Sequence, residues 1–310
     1  MRGHRGNSGG LTAAMFPEVL GDTANRVLRR MYAAIPVTYP AWCVEGSVKD
    51  FRPQKHIQIS DAPDLLPVGD GGEIERGTMR DSAESISVKE FARIVSITRE
   101  TLINDDLGAF GRIPMGLANK ARALETRIVY GILTQNANMS DGVPLFHADH
   151  NNVGSITGGP GAAGALAEIR QKFRTQTSQS AEDAENGNKL NLLPRFLILP
   201  STLEDNADKI LSERLYAATS ANVVPENLRR LFAMVVEPEL DDTSETEYYV
   251  AADSSVSGVD TVMFAYLEGE RGLQSDTRVG FEVMGVENRV HMTFGAKALD
   301  HRGLLKMPGA

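Results

Sequence analysis

The sequence predicts an α+β fold, on three observations. An unbroken apolar stripe runs through residues 114–136 at helical spacing. Extended, β-type segments stand before and after it. Between two of those segments, residues 61–84 are charged and glycine-rich, with too few large apolar side chains to bury themselves.

At 310 residues the chain has room for one large domain or two modest ones. Hydrophobic residues at 42% and charged residues at 24% are ordinary for a soluble globular protein. No run approaches the roughly 20 apolar residues that span a bilayer. The opening MRGHRGNSGG is positively charged but has no apolar stretch behind it, so it is not a signal peptide. A single cysteine, Cys43, excludes an internal disulfide and a multi-cysteine zinc site. These features suit a cytosolic product. The net charge of −9, from 41 acidic and 32 basic residues, argues against sequence-specific DNA binding as the main task.

Residues 1–20 are rich in Gly, Ser and Ala and read as an arm whose order depends on neighbours. Over 24–35, Val27, Leu28, Met31 and Tyr32 stand at helical spacing. From 44 to 60 the pattern turns extended, and KHIQIS sets Ile57 and Ile59 on one face. Residues 61–84 hold Pro63, Pro67 and four glycines, and SISVKEFARIVSIT after them is strand-like. Two strands joined by a long charged connection read as an extended hairpin or as a surface loop, since loops this long either bind something or stay disordered.

Asn104, Asp105 and Asp106 offer N-caps for a short helix, and Pro114 suits the first turn of a second. Beyond it Leu117, Ala121, Leu124, Ile128 and Ile132 form one stripe, leaving Lys120, Arg122, Glu125 and Arg127 for other faces. A loop region over 136–164 precedes a helix over 165–177. The polar stretch 178–189 follows, and then RFLILP, a buried strand. Ser201 and Glu204 match a capping box, opening a helix with Leu203, Ala207, Ile210, Leu211 and Leu215 inward. Strands are expected at FAMVVEP, EYYVAAD, TVMFAYLEG and over 281–299.

Candidate chemistry is sparse. His147 and His150 flank Asp149 in HADH, the densest group of metal-ligand types, but they lack the third protein ligand that zinc requires. A metal-dependent hydrolase on His147 and His150 is therefore the enzymatic alternative, set against loop histidines that bond to backbone. Gly159, Gly161 and Gly164 match G-x-G-x-x-G without a firm strand before them, so a glycine linker explains them better than a dinucleotide site. Cys43 has no nearby histidine and reads as a packing residue. No catalytic residue, cofactor or metal is assigned.

Several segments resemble a known family. They are GDGGEIERG at 69–77, VSITRETLINDDLGAFGRIP at 95–114, DGVPLFHADHNN at 141–152, RFLILP at 195–200, YLEGERG at 266–272 and FGAKALDHRGLLKM at 294–307. In this order they are similar to the Mu-like major head subunits and the related prohead protease-linked capsid proteins of tailed bacteriophages. The resemblance implies the Hong Kong 97-type capsid fold. Its parts would be an N-terminal arm (1–35), a peripheral domain (36–54, 89–140 with a spine helix, and 281–310), an extended hairpin loop (55–88) and an axial domain (141–280).

It further implies a virion shell of pentamers and hexamers around double-stranded DNA, assembled in the bacterial cytoplasm. Scaffold, prohead protease, portal and decoration proteins would be its partners. An acidic wall suits DNA that must be enclosed without sticking. The hairpin charges Glu73, Glu75, Arg76, Arg80 and Asp81 are the candidate assembly contacts. HADH belongs to the family's shell subunit, which lowers the metal reading. Some relatives carry an upstream protease or scaffold extension. Nothing of that size precedes residue 24, so those parts are expected as separate proteins or as removed pieces. An encapsulin-like compartment, which shares the fold and holds protein cargo, is the nearest alternative.

Overall fold

The computed structural model describes residues 26–59, 72, 81–98, 107–162, 164–178, 188–211, 231–279 and 285–309. In chain order the elements are α1 (residues 26–34), β1 (Val44–Val48), β2 (Gln54–Ile59), β3 (Asp81–Ile86), β4 (Lys89–Thr98) and α2 (Leu107–Gln135). They continue with α3 (Ala165–Thr175), β5 (Pro194–Leu199), α4 (Glu204–Leu211), β6 (Ala233–Val236), β7 (Tyr248–Ala252) and the single turn α5 (Ser254–Ser257). The last are β8 (Val262–Leu267), β9 (Gln274–Val279), β10 (Gly285–Ala298) and β11 (Leu304–Met307).

The chain divides into two compact units. One comprises Met1–Val37, Lys89–Glu125 and Tyr266–Phe294, the other Thr38–Val88, Thr126–Ala265 and Gly295–Ala310. In the first unit β10 pairs antiparallel with β4, from Gly285 opposite Thr98 to Phe294 opposite Lys89. On its other side β10 pairs with β9, placing Arg289 opposite Asp276 and Glu287 opposite Arg278. Strand alternation sorts these side chains. Val290, Met292 and Phe294 are buried, while Arg289 and Asp276 form an exposed ion pair at 2.6 Å.

In the second unit a four-stranded sheet has the order β11-β7-β5-β6, with β5 and β6 parallel and the other pairs antiparallel. All five residues of β7 are buried, as is expected of a central strand covered on both faces. Ile169 and Phe173 of α3 and Ala207 of α4 pack with Leu197, Leu199, Val250 and Leu305 in one apolar cluster. Its side chains are apolar apart from the buried Tyr248 hydroxyl, and burial stabilises at about 25 cal/mol per Å² of apolar surface.

Helix α2 departs from the sequence reading in two ways. Its turns run unbroken through Pro114 from Leu107, where two helices were expected. The ring removes one backbone donor, and the helical turns on either side carry the rod past the missing bond. The buried face is also rotated by one residue from the predicted stripe. Among the described side chains of the helix, Ala118, Ala121, Glu125, Thr126, Val129, Tyr130 and Leu133 are buried, so Glu125 lies inside.

Ser201 is not the cap that was expected. Its amide and hydroxyl both donate to Asp241, and a 3-10 turn over Ser201–Leu203 leads into α4. Leu215 and the stretch 179–187 lie outside the described residues.

Candidate functional site

Strands β2 and β3 form a two-stranded antiparallel ribbon, from Gln54 opposite Ile86 to Ile59 opposite Asp81. The second strand of the sequence reading, residues 85–98, divides here: β3 begins at Asp81, inside the charged stretch, and pairs with β2, while β4 pairs with β10. One face carries Glu84 and Ile86, at 5% and 3% exposure. The other carries Lys55, Ser85, Ala83 and Ile57, and Ile57 is 60% exposed. Of the candidate assembly residues, Asp81 opens β3, whereas Glu73, Glu75, Arg76 and Arg80 lie outside the described residues.

An isolated two-stranded ribbon is marginal in water, so this one depends on what holds its inner face. Ile86 and Val88 pack with Val48 and Ala265. The Glu84 carboxylate accepts the Ser140 amide at 2.6 Å and stands 3.6 Å from the Lys297 ammonium. Ser140 belongs to the 136–152 loop, which the DGVPLFHADHNN block builds.

That loop is ordered by its own side chains. Asn136 adopts φ +48°, ends α2, and bonds Phe146 twice, accepting its amide at 2.6 Å and donating to its carbonyl at 3.1 Å. Asn152 accepts the His147 amide and donates to the Leu145 carbonyl. Asp141 accepts the Val143 amide at 2.8 Å and meets His150 Nε2 at 2.8 Å, while His150 Nδ1 lies 3.0 Å from the Leu145 carbonyl. Burial works against the Asp141 carboxylate, but the Val143 amide and the His150 ring outweigh it and hold its carboxyl below the usual range. From α3 and just beyond it, Lys172 donates to Asn151 and Gln176 donates to the His150 carbonyl.

The histidines divide the work. His147, nearly half exposed, accepts the Asp149 amide through Nδ1 and starts a 3-10 turn. His150 is buried, and the ring stacked on it is that of His301, at 3.8 Å between centroids and 10° between planes. Burial pushes His301 down to about 4, with Asp300 beside it pulling the other way. The third side chains near His150 are therefore Asp141 and His301, which come from nine residues upstream and from the far end of the chain. Linear spacing gives no signal for that convergence.

These three groups bring potential ligand atoms within 4.8 Å of one another. They do not fit a metal. Two ligating imidazoles must aim in-plane lone pairs at one point about 2.0–2.1 Å away, and parallel stacked rings aim theirs side by side. Both nitrogens of His150 are already engaged. The hydrolase alternative built on His147 and His150 thus lacks its centre.

The glycine-rich stretch is a packed turn and not a linker. Gly159 and Gly164 adopt φ +79° and +86°, and a Cβ on Gly161 would press the Asn206 side chain at 2.5 Å. Cys43 is buried, and burial pushes its thiol well above the ordinary range, which fits a packing role.

A family model described as phage capsid protein matches residues 82–307, well over half of the chain. The chain belongs to the phage capsid protein family. This subunit is a phage capsid protein, a structural component of the virion and not an enzyme. Solved structures agree on the Hong Kong 97-type fold. A structure of Microbacterium phage Oxtober96 superposes with a TM-score of 0.57 at 11% identity, covering 89% of this chain and 93% of that one. The capsid of Cyanophage P-SCSP1u gives 0.55 at 8% identity, covering 89% and 88%. A virus-like particle from Pyrococcus furiosus gives 0.50 at 10% identity, covering 93% and 99%. No curated protein sequence matches the chain.

Proposed function

We propose that this capsid subunit is of the Mu-like, prohead protease-linked type, and that identical copies form pentamers and hexamers. These close into a shell around double-stranded DNA and lock through the extended hairpin. Residues 141–280 would form the axial domain of each capsomer. Residues 36–54, 89–140 and 281–310 would form the peripheral domain, with α2 as its spine. Residues 1–35 would be an arm and 55–88 the hairpin loop. Scaffold, prohead protease, portal and decoration proteins are the expected partners, and assembly takes place in the host cytoplasm.

The observation that carries this reading is the ribbon β2/β3. Its inner face is tied down, while Ile57 and Lys55 lie on the other face and are exposed. The charges Glu73, Glu75, Arg76, Arg80 and Asp81, gathered within nine residues that lead into β3, suit ion pairs with neighbouring copies. One exposed pair contributes about 0–1 kcal/mol, which keeps each contact reversible during growth. Repetition over many interfaces then supplies the avidity of the finished shell.

Deletion of residues 62–82 tests the lock. Subunits that still fold but yield only open or unstable particles are expected. Closed, stable shells from the shortened chain would overturn the reading. The encapsulin-like alternative draws on the fold it shares with the virus-like particle. DNA in purified particles is the expected content, and cargo protein in its place would favour that alternative.

A further inference from the structure

The DGVPLFHADHNN block has no task in the assembly reading above, and the geometry of residues 136–152 gives it one. We propose that this block is a socket that fixes the root of the hairpin, with Glu84 as the positioning residue that pins β3 into it. The proposal deepens the hairpin reading and rests on it for its role in the shell.

The socket is stiff in its own right. Asn136 clamps Phe146 through two hydrogen bonds, and Asn152 and His150 both reach the Leu145 carbonyl. Asp141, next to Ser140, is fixed by the Val143 amide and by His150 Nε2. Polar side chains that engage backbone at both ends leave such a loop few alternative conformations. Ser140 therefore presents its amide from a fixed place.

Glu84 answers it. A carboxylate at 5% exposure is costly unless hydrogen-bonded and paired, and Glu84 is both, through the Ser140 amide and Lys297. Lys297 comes from β10 and Ser140 from the loop after α2, so the two grips come from separate parts of the chain. A third closes on the strand's end. Gly295 of β10 lies against the Ser87–Val88 backbone so closely that a Cβ there would overlap the Ser87 carbonyl oxygen and stand 3.0 Å from Val88 Cα. Three contacts thus meet the chain between positions 84 and 88, where the hairpin joins the body. A root held in this way gives the hairpin a direction set by its own subunit, which reduces the ordering cost of reaching a neighbour.

Spin labels on the exposed residues Lys55 and Val256 of unassembled subunits test the socket by the width of their distance distribution. A narrow distribution is expected for the otherwise unaltered chain, at least doubled in width by Glu84→Ala with the circular dichroism spectrum unchanged. Glu84→Gln retains an acceptor for the Ser140 amide and is expected to stay narrow. That rescue separates positioning from general loss of structure, and it also serves if Glu84→Ala does not fold. Equal widths in folded Glu84→Ala and the unaltered chain, or broadening by Glu84→Gln equal to that by Glu84→Ala, would overturn the socket. If Glu84→Ala broadens the distribution yet closed shells still form, the socket stands and the hairpin lock fails.

Discussion

The carboxylate of Glu125 accepts the Tyr266 hydroxyl at 3.1 Å from a position with no exposure to solvent. It also takes the Tyr32 hydroxyl, and its second oxygen pairs with Arg122 at 2.9 Å. The Arg122 guanidinium lies 3.7 Å over the Tyr32 ring. Burial, and then the negative charge of Glu125, drives the Tyr32 hydroxyl far above its ordinary range, so it stays a donor.

Glu125→Ala leaves the mostly buried Arg122 charge without this partner and two tyrosines without their acceptor. The expected loss is about 3–5 kcal/mol, the range for breaking one side of a buried pair. Urea unfolding of the unassembled subunit measures it. Glu125→Gln keeps the shape and an acceptor, and should lose clearly less.

Gly295→Ala and Gly116→Ala should differ in sign. The first drives a methyl into the Ser87–Val88 backbone, at a cost of about 1–3 kcal/mol for overpacking. The second meets nothing within 4 Å on helix α2, where alanine is favoured over glycine by about 0.5–1 kcal/mol. Denaturant midpoints of the two variants make the comparison.

His301 sets a pH dependence. Its folded value of about 4 lies below the ordinary 6.5, so below that ordinary value the unfolded chain takes up a proton that the folded chain refuses. The stabilisation is fully present above about pH 6.5 and is lost as pH falls toward 4, by up to about 3 kcal/mol. His301→Asn should flatten that part of the stability curve measured between pH 7 and pH 4. A parallel curve for the variant would contradict it.

Cys43 should resist alkylation. Folded subunits treated with iodoacetamide at mildly alkaline pH are expected to remain unmodified by mass spectrometry, and to become fully modified in denaturant. The cause is burial, which both blocks access and suppresses the thiolate.

What the sequence made legible follows from how local the information is. A helix through residues 114–135, the strand at RFLILP and the extended run over 54–59 rest on periodicity over neighbouring residues, and each is present. The phase of α2 was misjudged because Glu125 looks like a surface residue until Tyr32 and Tyr266 arrive from distant parts of the chain. The socket was hidden for the same reason. Ser140 contributes a backbone amide, which no composition or motif can mark, and Glu84 sits in a charged stretch that resembles a solvated loop. His301 is 151 residues from His150, so only folding shows that they stack.

Under the proposed hairpin lock, the outward Ile57 would make crowding the timer. Its side chain is exposed on the ribbon, and its apolar surface would be dried by the arrival of another copy. The frequency of such meetings would then govern when that surface is withdrawn from water.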